Sequence, residues 1–290
     1  MKSVHHLAWS GAAAVALALA FGAASANATP VPVTPSNMGS WAFANSDVNG
    51  TVGANPTGSG GMVTGPATPP LGVGSAQLST GDGTTGGDGA EILSTTGYSG
   101  VALSSLTSLS YSTYDTLNNG QQFPYLQLEV ETSGGTYDQL FFEPPYQTPT
   151  TGNSSLPNQG ATAMNTWQSW NALEGGWWDN NGSCGSPGTG VASLSACEAA
   201  LPGATIVNSY GTTGVLTGVG GVQFTVGFGN PSDQFNGYVD AFTIGDANGT
   251  TTFDFEPSAA VPEAGTWALM LLGFFGIGGA LRARRLRPAT

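Results

Sequence analysis

The chain has 290 residues, 40% hydrophobic and only 8% charged, with 45 glycines and a formal charge of −13; the apolar share can build a core, while the charged share is far below the roughly 25% of ordinary globular proteins. Every Lys, Arg and His sits at an end of the chain, Lys2, His5 and His6 at one and Arg282, Arg284, Arg285 and Arg287 at the other, whereas all 18 acids lie between Asp47 and Glu263. The long middle cannot neutralise phosphate, which excludes nucleic acid as a partner, and it lacks the side chains for a Ser-His-Asp triad, a His-ligated zinc, a Schiff base or an arginine clamp.

Residues 1–28 read as a secretory signal. Lys2 and the two histidines give a weakly positive start, and Gly11 to Gly22 is a short apolar run. Ala26 and Ala28 are the small residues that a signal peptidase reads, so cleavage is expected after Ala28. A Pro-rich, extended lead-in follows at 29–40.

From residue 41 to 257 the pattern is β, and 10 Phe, 8 Tyr and 5 Trp set this glycine-rich stretch apart from disordered sequence. Short β-branched and aromatic segments alternate with Gly, Asn, Asp and Pro turns. Tyr125 to Thr132 is the clearest strand, with Leu126, Leu128 and Val130 on one face and Gln127, Glu129 and Glu131 on the other. Phe141 and Phe142, Val222 to Phe228, Val239 to Ile244 and Thr251 to Phe255 mark further strands. The pairs Gly134-Gly135, Gly220-Gly221, Asn236-Gly237 and Asn248-Gly249 suit tight turns. One short helix is expected from Leu194 to Leu201, ahead of Pro202-Gly203. Many short strands with turn signals imply a β-sandwich or jelly roll. The segment GYVDAFTIG followed by FDFEP, residues 237–245 and 253–257, resembles the last hairpin of jelly-roll carbohydrate-binding modules, which implies the same fold.

Four features carry the chemistry that remains open to such a domain. Cys184 and Cys197 are the only cysteines, and an exported segment predicts a structural disulfide between them. Glu129 and Glu131 share a strand face, which is either an outward polar face or the carboxylate pair of a glycoside hydrolase. Asp240 and Asp254 fall inside hydrophobic strands, where a carboxylate needs main-chain amides, a hydroxyl or a structural Ca²⁺. Finally, Trp167, Trp170, Trp177 and Trp178 crowd together beside Asp179 and Asn180. That grouping is either a glycan site on the disulfide loop, with rings for stacking and amides for hydroxyls, or packing for the loop.

The C-terminus has three parts: Val261, Pro262, Glu263 and Ala264 as a linker motif at 258–264, an uncharged apolar stretch at 265–281, and the arginine cluster at 282–290. The apolar stretch is near the lower length limit of a transmembrane helix, and the arginines would stay cytoplasmic and leave the large domain outside. VPE at 261–263, WALMLLGF at 267–274 and RARRLR at 282–287 together resemble the PEP-CTERM sorting signal of Gram-negative bacteria, with Ala264 where that motif has a second Pro. The resemblance implies an exosortase as processing partner, an inner-membrane stage before processing, and delivery to the cell surface or an extracellular polysaccharide matrix such as a biofilm. The expected protein is a non-catalytic, surface-sorted sandwich with a glycan ligand; the alternatives are a carboxylate-dependent glycoside hydrolase and a purely structural surface protein.

Overall fold

The computed structural model describes residues 29–47, 51–55, 57–82, 88–208, 219–227 and 233–258, with Leu272 and Phe274. The signal segment with Ala26 and Ala28, Phe228, the motif Val261 to Ala264 and the arginine cluster lie outside the described residues, as does the apolar stretch but for those two positions. No helix of the described residues is long and apolar enough to cross a membrane.

In chain order the strands are β1 (Val31–Val33), β2 (Trp41–Asp47), β3 (Ser59–Thr64), β4 (Gly74–Ser79), β5 (Asp88–Thr95), β6 (Ser108–Leu117), β7 (Tyr125–Glu131), β8 (Tyr137–Phe142), β9 (Gln168–Asn171), β10 (Gly176–Asp179), β11 (Ala192–Ser193), β12 (Thr205–Ile206), β13 (Val222–Gly227), β14 (Asn236–Asp246) and β15 (Gly249–Phe255). The α-helix α1 (Leu194–Ala200) lies where it is predicted and opens on the Ser193 hydroxyl accepting from the Ala196 amide. The strands form two sheets, one of seven strands (β1, β15, β14, β4, β3, β6, β9) and one of eight (β11, β10, β8, β7, β13, β5, β2, β12). The protein is therefore all-β and two-layered.

Strand alternation drives the apolar faces together. Leu126, Leu128, Val130, Phe142 and Phe224 of the eight-stranded sheet share one core cluster with Leu78, Tyr111, Val239, Phe242 and Phe255 of the seven-stranded sheet. Trp41 joins the layers, its ring 6.2 Å from Phe224, 5.8 Å from Phe242 and 5.1 Å from Phe255. Burying each such ring contributes about 2–3 kcal/mol.

The lead-in at 29–40 belongs to the fold, because β1 pairs in parallel with β15, Val31 opposite Phe253 and Val33 opposite Phe255. Strand β14 carries β6 along one edge and shares its other edge between β4, at 236–239, and β15, at 242–246. The change of partner falls beside Ala241, whose φ of 53° marks the irregularity.

Two predicted turns are close approaches instead. Asn236-Gly237 starts β14, and a Cβ on Gly237 would come within 2.3 Å of Pro124. At Gly220-Gly221 added Cβ atoms would meet the backbone of Thr95 and Val207 at 2.2 and 2.3 Å.

Candidate functional site

The polar side of β7 does not face outward to water. Gln127 is 2% exposed and Glu129 1% exposed. In register, Glu129 stands opposite Gln139 of β8, and Gln127 stands between Gln223 of β13 and Phe141 of β8. Three side-chain amides converge on one carboxylate oxygen: Gln127, Gln139 and Gln223 donate to Glu129 Oε1 at 2.7, 2.9 and 3.1 Å. The second oxygen, Oε2, is buried without a hydrogen-bond partner, as is Gln223 Oε1. Burial pushes the Glu129 carboxyl up to about 7, although the three amides pull the other way.

The rim of this face is aromatic. Trp178 of β10 is opposite Phe141 in register, and the rings stack at 4.3 Å with 20° between their planes. Tyr125 follows at 6.2 Å from Phe141. The Trp178 indole donates to Glu143 Oε1 at 3.2 Å, while burial raises that carboxyl to about 7 against the hydrogen bond. Asn180 is exposed and donates to Gln139 Oε1 at 3.4 Å, which ties the rim to the Glu129 cluster.

The four clustered tryptophans part company. Trp170 and Trp177 are core residues, 1% and 0% exposed, with indoles donating to Thr113 Oγ1 and to the Ala172 carbonyl. Trp167 lies on the outside of the seven-stranded sheet, bonded to the Pro66 carbonyl and 5.5 Å from Tyr114. Trp178 lies on the outside of the eight-stranded sheet. One site on the disulfide loop, as the sequence suggests, is therefore not formed. The cause is a change of sheet: β9 pairs with β6 and β10 with β8, so the chain crosses the sandwich between Asn171 and Gly176.

Asp179 faces inward and organises the disulfide loop. Its carboxylate accepts from the amides of Ser183, Cys184 and Gly185 at 2.6, 2.7 and 3.2 Å, beside the Cys184–Cys197 bond. Burial works to raise this carboxyl, but the amides outweigh it and hold it below the usual range. The neighbouring Asp138, which shares a hydrogen bond with Asp179, is pushed by burial up to about 6.

Glu131 sits two positions beyond Glu129 on the same face, partly buried beside Thr205 and Tyr137. The partners that reach Glu129 are amides rather than a second carboxylate. Asp240 is fully buried and takes main-chain partners, the amides of Leu71 and Phe255 at 2.9 and 3.2 Å. Asp254 and Glu256 share a hydrogen bond, and burial together with the Glu256 charge raises Asp254 to about 6. Among the described residues no group of three or more His, Cys, Asp or Glu side chains is arranged to hold a metal ion.

Sequence reasoning missed Gln127, Gln139, Gln223 and Glu143. A signal was present: each of YLQLEV, DQLFF and VQFTV carries a glutamine inside an apolar strand, where an amide needs a dedicated partner. No protein-family model, curated protein or solved structure matches the chain.

Proposed function

We propose that this chain is an exported, surface-sorted and non-catalytic β-sandwich of jelly-roll form that binds glycans of an extracellular polysaccharide or biofilm. The observation that carries this reading is the Glu129 cluster beside the Phe141–Trp178 stack. Flat rings can stack on sugar rings, and fixed amides and carboxylates can take their hydroxyls. The amides are held by Glu129 before any ligand arrives, which lowers the ordering cost of binding. The cation-free ectodomain supports an extracellular, uncharged-surface role rather than attachment to phosphate or anionic lipid. Its disulfide fits export into an oxidising compartment.

The sorting part of the reading rests on the PEP-CTERM-like tail, with signal peptidase and exosortase as processing partners. Intact mass of the protein recovered from the producing cell tests it. The expected species begins at Thr29 and lacks 265–290; a species that retains that stretch makes it a plain anchor. A glycan array tests the binding part. Specific binding is expected, and silence across the array by folded protein leaves a structural surface role.

A further inference from the structure

We propose that the outer face of the eight-stranded sheet, from Trp178 at the rim to Glu129 at the floor, is a subsite for an uncharged sugar, one with hydroxyl donors and without carboxylate, sulfate or amine. The inference rests on the glycan-binding reading above and names its substrate class. Its warrant is the unpartnered floor: Glu129 Oε2 and Gln223 Oε1 have no hydrogen-bond partner, on side chains no more than 1% exposed. Such oxygens cost free energy unless something donates to them. A fitting ligand must therefore bring donors, and each sugar hydroxyl brings one.

Charged sugars fit worse, for two separate reasons. A uronate or sulfate brings acceptors and negative charge to a region with no Lys, Arg or His, in which every acid of the chain except Glu263 resides. An amine brings donors, but it must shed its hydration shell to reach side chains this deeply buried. Desolvating an ammonium costs several times what a hydroxyl loses. The rim favours a ring face instead: Phe141 and Trp178 are partly exposed and stacked, and the exposed Asn180 leads through Gln139 to Glu129.

The test is binding of the full-length chain to five immobilised polymers: a neutral glucan, a neutral galactomannan, alginate, dextran sulfate and chitosan. Wild type is compared with Trp178→Ala, Asn180→Ala and Glu129→Gln, each checked for fold by circular dichroism. The expected result is binding to a neutral polymer only, weakened about tenfold or more by Trp178→Ala and Glu129→Gln. Asn180→Ala, at an exposed position, carries the test if either of the other variants fails to fold, with a loss of about threefold or more expected. Equal or tighter binding to alginate, dextran sulfate or chitosan overturns the uncharged-sugar inference and leaves the glycan reading standing. Undiminished neutral binding in all folded variants overturns the location. Silence with all five polymers overturns both.

Discussion

Gln223 on β13 donates its side-chain amide to Glu129 on β7 at 3.1 Å, across 94 positions of sequence. That bond, with its two companions from Gln127 and Gln139, makes Glu129 the centre of a buried polar cluster. Removing the acceptor strands three amides at once. Glu129→Ala is expected to cost about 2–4 kcal/mol, read as a lower denaturation midpoint. Glu129→Gln keeps an acceptor in place and removes a buried charge, so its midpoint at pH 8 is expected to match or exceed that of wild type. A large loss in Glu129→Gln would show that the charge itself holds the cluster.

The buried carboxyls make stability depend on pH with an unusual sign. Burial is the leading cause in each case: Glu91 is pushed to about 8, Asp115, Glu129, Glu143 and Asp240 to about 7, and Asp138 and Asp254 to about 6. Unfolded Asp and Glu titrate near 4. Between about pH 4 and pH 8 the folded chain therefore holds more protons than the unfolded one. Stability is fully present at the acid end of that window and is lost as pH rises through it. The loss is on the order of several kcal/mol, even after discounting the partly exposed Asp254 for solvent screening. Melting curves at pH 4, 6 and 8 are expected to fall by roughly 10 °C or more overall; a flat or rising profile refutes the assignment.

The disulfide loop is predicted to be stabilised twice over. Cys184 and Cys197 are 13 residues apart, and losing the bond is expected to cost about 3 kcal/mol. Asp179→Asn keeps the shape but weakens three charge-assisted bonds, at about 1–3 kcal/mol. Melting with and without reductant separates the two. Because the bond and the carboxylate order the same loop, the double change is expected to cost less than the sum.

Neighbouring tryptophans should behave as strangers. Trp177→Ala empties a core position and is expected to cost about 3–5 kcal/mol. Trp178→Ala leaves a half-open rim and should cost clearly less. Acrylamide quenching gives a second view: replacing Trp178 should remove a quenchable share of the fluorescence, and replacing Trp177 should remove a protected one.

What the sequence made legible was local. The period-two pattern of YLQLEV placed Leu126, Leu128 and Val130 on the core side because alternation needs no knowledge of neighbours. It could not tell that the opposite face is also buried, since that depends on Gln139 and Gln223 arriving from other strands. The tryptophan cluster misled for a related reason. Trp170 and Trp177 come from different sheets and are both buried in the core, while Trp178, one residue on, points the other way. The disulfide was readable because the chain has just two cysteines in a segment read as exported, and α1 because Pro202-Gly203 marks its end.

The parallel pairing of β1 with β15 has a mechanical consequence. Were the chain held at the cell surface by its C-terminal end, as proposed above, a pull on the domain would enter it through the end of β15. The main-chain bonds to β1, including the Glu256 amide to the Val33 carbonyl at 2.9 Å, and those to β14 then lie across the pull. Under a pull along β15 they would be loaded together in shear rather than unzipped one at a time, so β15 would act as a clamp between such a tether and the domain.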